Sequence, residues 1–264
     1  MNISDVSKTA ILTLICRATG TERKKPVIND PMAVLCFEKL LSIASEEEKQ
    51  WLLKSKKLFA GIFATDINAL IKRVKYFDKI TNDYISNNPS CTVINLACGF
   101  DTRYWRINNK NCKFIELDLP EVIALKKEVF KEQINYELIG CSILDVSWID
   151  KVTLNGNNNI LILAEGIFMY LPKQDVILLL QTISQRFNNS QIIVELAYER
   201  FTKGLWKRLA DWYWKKFFGL DVSFVFCIKK PQDFESYAKG LKIVDIGKGS
   251  VGPLITASIN SNEK

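Results

Sequence analysis

From residue 91 onward, short apolar segments alternate with segments of helical periodicity, and this alternation restricts the fold more than any other feature of the chain. Parallel neighbours in a sheet need a long crossover connection, which is usually a helix, so the pattern predicts a mostly parallel sheet covered on both faces. The predicted strands are 91–96, 113–119, 136–143, 159–165 and 191–196, with late strands at 224–228, 242–246 and 254–259. The sequence therefore predicts an α/β fold.

Residues 1–88 differ from the rest of the chain in their hydrophobic pattern, because their apolar residues recur at helical spacing throughout. Helices are predicted over 30–45, 46–71 and 73–86. Asp30, which precedes a proline, and Ser45, which precedes three glutamates, have the chemistry of helix N-caps. A turn is predicted at 154–159.

The chain shows no internal repeat and no long linker, and its 264 residues are enough to bury a full core. We expect one domain over 1–264, in which a helical N-terminal cap (1–88) covers a sheet-containing core (89–264). A helical insertion is expected at about 200–235, near the C-terminal end of the sheet.

Composition excludes several classes of function. The formal charge of +7 is mild, and basic and acidic residues are interspersed, so we expect a solvated surface and no nucleic-acid partner. The seven cysteines are scattered without a CxxC spacing and the chain has no histidine, so no metal site is expected. Because no apolar run reaches 18 residues and no secretory leader is recognisable, we expect no membrane span and a cytoplasmic protein with free thiols.

Polar residues follow the first four predicted strands at the edge where an open parallel sheet binds its ligands. The first strand ends in a turn containing Gly99 and Asp101, and the next three ends carry Asp118, Asp145 and Glu165. One such acid is commonly a helix cap, but several acids converging beside a glycine-containing turn favour a polar pocket. The first turn lacks the glycines of a dinucleotide or phosphate loop. A nucleoside with a positive centre suits it better, with its ribose hydroxyls on Asp118, and S-adenosylmethionine fits that description.

The chain resembles the leucine carboxyl methyltransferase family, which includes bacterial O-methyltransferases of polyketide synthesis. The segments that carry the resemblance are VINLACGFDTRYWRI (93–107), FIELDLPEVIALKKEVF (114–130), CSILDVSW (141–148) and ILILAEGIFMYLPKQDVILLL (160–180). The N-terminal segment 7–33 and the helix around Arg73 and Asp78 are also similar to the family's opening motifs. The resemblance implies a Rossmann-like class I methyltransferase that uses S-adenosylmethionine.

The resemblance also implies a set of cofactor-binding residues. Arg73 would hold the methionine carboxylate and Glu165 its amino group, Asp118 would bind the ribose, and Ser142 and Ile143 would lie at the adenine. The backbone of Ala97 and Gly99 would approach the cofactor closely, and Arg17 would be a further cofactor-facing cation.

Two positions depart from the family pattern. Ala97 stands where the family has a glycine, a role that alanine tolerates only if its φ stays negative and its methyl group avoids the cofactor. Ser142 stands where the family has an aspartate, so the charge-assisted part of a hydrogen bond to adenine, about 1 kcal/mol, is lost. We expect weaker cofactor binding rather than none.

Other polar residues of the first turn have ordinary structural explanations. Thr102 is expected to cap a helix that begins in the turn, whereas Asp101 could cap it or act as a base. Arg103 and Arg106 are expected to pair with the strand-end acids rather than with a substrate. Tyr170 resembles a pocket residue of the family, although an aromatic at such a position is also common in a core.

The segment 204–228 concentrates tryptophans, tyrosine and basic residues. It is interpreted as a substrate lid or a helix packed on the sheet, with contact to a membrane surface as the less favoured alternative.

The absence of histidine bears on the reaction. A carboxylate acceptor needs no base for methyl transfer, whereas a hydroxyl usually does, so the composition favours a carboxylate or an acidic phenol. Asp101 and Tyr170 are the candidate catalytic residues. The sequence thus favours an O-methyltransferase acting on a carboxylate or hydroxyl of a small molecule or a protein C-terminus. A cofactor-binding interaction protein of the same fold is the alternative, and a nucleic-acid methyltransferase is disfavoured because its Pro-Pro motifs are absent.

Overall fold

Four helices precede the sheet in the computed structural model, which describes residues 4–108, 112–152 and 159–260. The helices are α1 (Asp5–Thr21), α2 (Pro31–Ile43), α3 (Glu46–Ala60) and α4 (Ala64–Asn87). The predicted caps of α2 and α3 are confirmed. Asp30 Oδ1 accepts from the Ala33 amide at 3.1 Å, and Ser45 forms a reciprocal capping box with Glu48.

A seven-stranded sheet forms the rest of the molecule. Its strands are β1 (Thr92–Leu96), β2 (Lys113–Asp118), β3 (Glu137–Gly140), β4 (Ile160–Ala164), β5 (Ser190–Glu195), β6 (Leu241–Lys248) and β7 (Pro253–Ile259). The spatial order is β3-β2-β1-β4-β5-β7-β6, with β1 to β5 parallel and β7 antiparallel to both neighbours. The predicted Rossmann-like α/β fold is confirmed.

Helices cover both faces of this sheet. The connecting helices are α5 (Pro120–Phe130), α6 (Trp148–Lys151), α7 (Lys173–Arg186) and α8 (Gly204–Tyr213). Ile94 and Leu96 of β1 pack with residues of α6 and α7 on one face, whereas Val93 packs with residues of α4 on the other. Every residue of β1 and β4 is buried, which explains the unbroken apolar sequence of β4 and the mostly apolar sequence of β1. In the described parts of the chain, no helix is both long and apolar enough to cross a membrane.

Three predicted elements are wrong in their extent. The helix predicted over 46–71 is two helices, because Gly61 leaves the helical conformation while its amide donates to the Lys57 and Leu58 carbonyls. The helix predicted over 73–86 is the C-terminal part of α4. The insertion is helical over 204–218 and is followed by an extended segment and a short 3₁₀ helix at Pro231–Tyr237.

The strand predicted at 224–228 does not join the sheet. Both edges of β5 are already paired, with β4 and β7, so no edge is open to it there. Instead, the Val225 and Phe226 amides donate to the Met169 carbonyl, and one isolated bridge links Tyr198 to Ile228. The turn predicted at 154–159 lies, except for its last residue, outside the described residues.

Candidate active site

A cavity of about 470 Å³ opens at the carboxyl ends of the parallel strands, beneath α1 and α4. The structure brings all of the predicted cofactor and catalytic residues to its wall: Arg17, Arg73, Ala97, Gly99, Asp101, Asp118, Ser142, Ile143, Glu165 and Tyr170. Residues separated by most of the chain thus share one site. Their presence there is a structural fact, whereas their individual roles stay predictions.

The turn after β1 has two residues in the left-handed backbone region. Gly99 has a φ of +49°, and a Cβ atom added to it would lie 2.5 Å from Ala10 Cβ, so α1 leaves no room for a side chain. Ala97 also has a φ of +49°. The condition of a negative φ for alanine in this role is therefore not met. This backbone conformation costs an L-residue roughly 1 kcal/mol, which the rest of the turn must offset.

Asp118 ends β2 and is tied to the first turn. Its Oδ2 accepts from the Gly99 amide at 2.6 Å and its Oδ1 from the Leu119 amide at 2.7 Å. Burial raises the pKa of Asp118, although these two amides oppose the shift. Two donors leave further acceptor capacity on the carboxylate, which suits a pair of ribose hydroxyls.

The turn after β3 corrects one prediction. Asp145 is exposed and does not line the cavity, because β3 ends early and the following turn leads away from the sheet edge. Its Oδ1 accepts from the Ser147 amide at 3.1 Å, a local turn contact. Ser142 does line the cavity, with its hydroxyl oxygen accepting from the Leu144 amide at 3.2 Å.

Arg73 of α4 connects the ends of β4 and β5. Its Nε lies 2.8 Å from Glu165 Oε1, and its Nη1 lies 2.7 Å from Glu195 Oε2. Burial alone would raise the pKa of Glu165, but Arg73 and Arg103 outweigh it and hold the pKa below its usual range. Glu195 was missed by the sequence interpretation, although an acid at the end of a fifth parallel strand carries the same signal as the acids at the other ends.

Arg103 pairs with the strand-end acid Glu165, as predicted, whereas Arg106 pairs with acids of the helices and of the first turn. Arg103 contacts Asp78 at 2.8 Å and Glu165 at 2.5 Å, and it also pairs with Asp101. Arg106 contacts Asp78 at 2.9 Å. Burial would raise the pKa of Asp101, but the two guanidinium groups hold it well below its usual range. An acid so strongly paired is a poor proton acceptor, which argues against Asp101 as a base.

The helix predicted to begin in the first turn is only a single 3₁₀ turn, Arg103–Trp105. Thr102 makes no capping hydrogen bond to it. The Thr102 hydroxyl instead donates to Asp30 Oδ2 at 2.6 Å, so the residue joins this turn to α2.

Arg17 of α1 makes structural contacts with the first turn and with Asp30. It donates to the Phe100 carbonyl at 2.7 Å and its Nε lies 3.2 Å from Asp30 Oδ2. It lines the cavity as predicted, with its charge already balanced.

Aromatic residues form the far wall. Burial raises the pKa of Tyr170 to about 12, so its phenol stays protonated near neutral pH and can only donate or accept a hydrogen bond. Tyr213 and Trp214, at the end of α8, also line the cavity, whereas Trp206 and Trp212 are more than half exposed. The end of α8 therefore closes over the site, in agreement with the lid interpretation.

The sequence model of the family described as leucine carboxyl methyltransferase matches residues 10–184. The chain belongs to the leucine carboxyl methyltransferase family. It is 24% identical over 250 residues to the S-adenosyl-L-methionine-dependent methyltransferase dpfgK of Gibberella zeae, covering 92% of this chain and 82% of that protein. It is also 24% identical over 246 residues to the tetracenomycin polyketide synthesis O-methyltransferase TcmP of Streptomyces glaucescens, with the same two coverages of 92% and 82%.

This leucine carboxyl methyltransferase family member is thus an S-adenosylmethionine-dependent methyltransferase. The cavity fits that cofactor on chemical grounds. Its wall carries five carboxylates and two guanidinium groups, an acidic excess that complements a cofactor whose sulfonium gives it net positive charge: Asp66, Asp101, Asp118, Glu165, Glu195, Arg17 and Arg73.

Proposed function

We propose that the protein transfers a methyl group from S-adenosylmethionine to an oxygen atom of an acceptor bound in the same cavity. The observation that carries the proposal is the continuity of the cavity, which runs from Asp118 on β2 past Glu165 after β4 to Glu195 on β5. A nucleoside held at the first of these positions leaves the β5 end for an acceptor. The name of TcmP, an O-methyltransferase, supports oxygen as the atom methylated.

The cofactor-binding roles follow the geometry of the strand ends. Asp118 would bind the ribose, with Ser142 and Ile143 beside the adenine. Arg73 would take the methionine carboxylate, and Glu165, already ion-paired, would face the methionine amino group. The turn that holds Ala97 and Gly99 would lie against the cofactor.

When bound, S-adenosylmethionine supplies a methyl carbon made electrophilic by the adjacent sulfonium. The protein's contribution is alignment and exclusion of water, since the displacement requires acceptor oxygen, carbon and sulfur in line. The enclosing wall of α1, α4, Tyr213 and Trp214 provides that exclusion.

Calorimetric titration with S-adenosylhomocysteine tests the cofactor site. We expect Asp118→Ala to weaken binding at least tenfold, because the ribose loses a charge-assisted acceptor. Asp145→Ala is the matched control, since it removes an exposed aspartate that does not line the cavity, and it should leave affinity unchanged. Equal affinities of the two variants would contradict the assignment.

Transfer is tested with a ¹³C-methyl-labelled cofactor and a small-molecule extract of the source cells. The chemical shift of the labelled carbon distinguishes O-methyl from N-methyl and C-methyl products, and an O-methyl signal is expected.

A second candidate, a cofactor-binding interaction protein without activity, is supported by the left-handed Ala97 and by Ser142, both of which depart from the family pattern. Tight cofactor binding with no labelled product would favour it.

A further inference from the structure

Glu195 has an oxygen that the protein leaves without a hydrogen-bond partner. Its side chain is fully buried and lines the cavity. Oε2 accepts from Arg73, whereas Oε1 has no hydrogen-bond partner within the described residues. A buried carboxylate oxygen without a donor costs free energy, so such an atom is typically reserved for a ligand.

The other carboxylates of the cavity differ in this respect. Both oxygens of Glu165 accept from guanidinium groups, those of Arg73 and Arg103. Asp101 accepts from Arg103 and Asn95, and both oxygens of Asp118 accept from backbone amides. Glu195 therefore stands apart in this cavity as a fully buried carboxylate with an oxygen to spare.

The order of the strands places this oxygen on the acceptor side. Asp118 is on β2 and Glu165 follows β4, so a cofactor that spans these two ends occupies the β2-β1-β4 part of the edge. Glu195 ends β5, the next strand outward, close to Gly166 and Arg73. Tyr170, Phe224 and Val251 line the same region of the wall and supply apolar surface beside Glu195.

The charges on this side disfavour an anionic acceptor. No lysine belongs to the wall in the described part of the chain, and its two arginines are engaged by Asp30, Glu165 and Glu195. A carboxylate placed against Glu195 Oε1 would meet a like charge in a site of low dielectric, and the cation beside it, Arg73, is already assigned to the methionine carboxylate of the cofactor. A neutral hydroxyl would instead donate its proton to Oε1.

We propose that Glu195 is the catalytic base and that the methyl acceptor is a neutral hydroxyl, of phenol or alcohol type, rather than a carboxylate. This rests on the methyl transfer proposed above. The acceptor's O–H bond breaks and its proton passes to Glu195 Oε1, while the oxygen forms a bond to the methyl carbon. The carbon–sulfur bond breaks with its electron pair left on sulfur, and the positive charge lost there is balanced by the proton on Glu195, which solvent removes after product release.

The environment of Glu195 suits a proton acceptor. Burial raises its pKa, and the groups that face it are Arg73 of α4, which lowers the pKa, and Glu165 after β4, which raises it. The Tyr170 hydroxyl is the other titratable group near it on this wall. A carboxylate of raised pKa is a better match to a hydroxyl than a fully solvated one.

The first test is Glu195→Gln, with Glu199→Gln as the control because Glu199 pairs with Lys203 on the surface and does not line the cavity. We expect the Glu195 variant to bind S-adenosylhomocysteine within about threefold of the parent, to lose about 100-fold or more in kcat, and to lose the acidic limb of the pH–rate profile. A loss of S-adenosylhomocysteine affinity comparable to the loss in kcat would assign Glu195 to the cofactor and overturn the proposal. If Glu195→Gln does not fold, Glu195→Asp, which keeps the charge but retracts it, should show the same loss in kcat with the acidic limb retained.

The second test uses the parent enzyme and the chemistry of its product. Labelled product formed in the small-molecule extract is treated with mild alkali, which hydrolyses methyl esters to labelled methanol and leaves methyl ethers intact. Alkali-stable label supports the hydroxyl acceptor. Release of labelled methanol overturns it while leaving O-methyl transfer established, and absence of any product counts against both proposals.

Discussion

Gly99→Ala is expected to be among the most damaging small substitutions in the site, for two reasons that can be separated. The added Cβ would lie 2.5 Å from Ala10 Cβ, about 1 Å closer than carbon atoms normally approach. The position also has a φ of +49°, which disfavours any residue with a Cβ.

The magnitude follows from these two effects. Overpacking of this kind costs about 1–3 kcal/mol, and the left-handed conformation adds roughly 1–2 kcal/mol. The smaller entropy of the unfolded alanine chain returns about 0.4–1 kcal/mol. The free energy of unfolding should therefore fall by about 1–4.5 kcal/mol, a large share of the stability of a typical domain.

A double-mutant cycle separates the clash from the backbone strain. Ala10→Gly alone should cost about 1 kcal/mol, since it places glycine in α1. In the Gly99→Ala background it also removes the clash, so the coupling energy should be about 1–3 kcal/mol and the net gain from Ala10→Gly about 0–2 kcal/mol. Urea denaturation of the four proteins gives the coupling energy, and titration with S-adenosylhomocysteine reports whether the turn still accepts the cofactor.

Two results would refute this reasoning. A loss below about 1 kcal/mol for Gly99→Ala would mean that α1 moves aside at little cost. A coupling energy near zero would mean that the contact with Ala10 does not oppose a side chain at position 99. The backbone conformation would then be the sole reason for glycine there. Ala97 is an internal reference, because it shows that a Cβ is tolerated at a φ of +49° in this turn where no such contact opposes it.

Three further outcomes are expected. Lys126 Nζ lies 2.5 Å from Oε2 of the buried Glu116. Lys126→Met should lower the free energy of unfolding, measured by urea denaturation, by about 3–5 kcal/mol because it removes the cation that balances this carboxylate, and adding Glu116→Gln should restore much of that loss. Burial would raise the pKa of Asp101, but its arginine partners hold that pKa lower. The contribution of the Asp101 carboxylate to stability is therefore present above about pH 4 and is lost as the pH falls further. Asp101→Asn should flatten the decline of the urea midpoint between pH 5 and pH 3. Ser142→Asp should tighten S-adenosylhomocysteine binding about fivefold by calorimetry, by about 1 kcal/mol of charge assistance, and unchanged affinity would contradict its place at the adenine.

The sheet and the first four strand ends could be predicted because their signals are local. An apolar run followed by small and acidic residues marks the end of a buried parallel strand, whatever the rest of the chain does. Asp118 and Glu165 were found in this way. Asp145 carried the same signal and was wrongly placed in the pocket, because its distance from the sheet edge depends on where β3 ends.

Glu195 illustrates what local patterns do not reveal. Its importance depends on Arg73, 122 positions earlier in the sequence, and on the absence of a second donor at its other oxygen. The backbone of Ala97 is a similar case. Its left-handed conformation is a property of the folded turn, and an alanine in the sequence argues against that conformation.

The ion pairs that join α2 and α4 to the turns at the strand ends also restrict how members of the family can exchange segments. Arg73 and Asp78 belong to the helices, whereas their partners Arg103, Glu165 and Glu195 belong to the sheet-containing part. A chimera that crosses over just before β1 inherits one half of each pair from each parent, and it stays balanced only when both parents carry matching charges. We therefore expect the helices that shape the acceptor end to be exchangeable only together with the strand-end carboxylates that they neutralise.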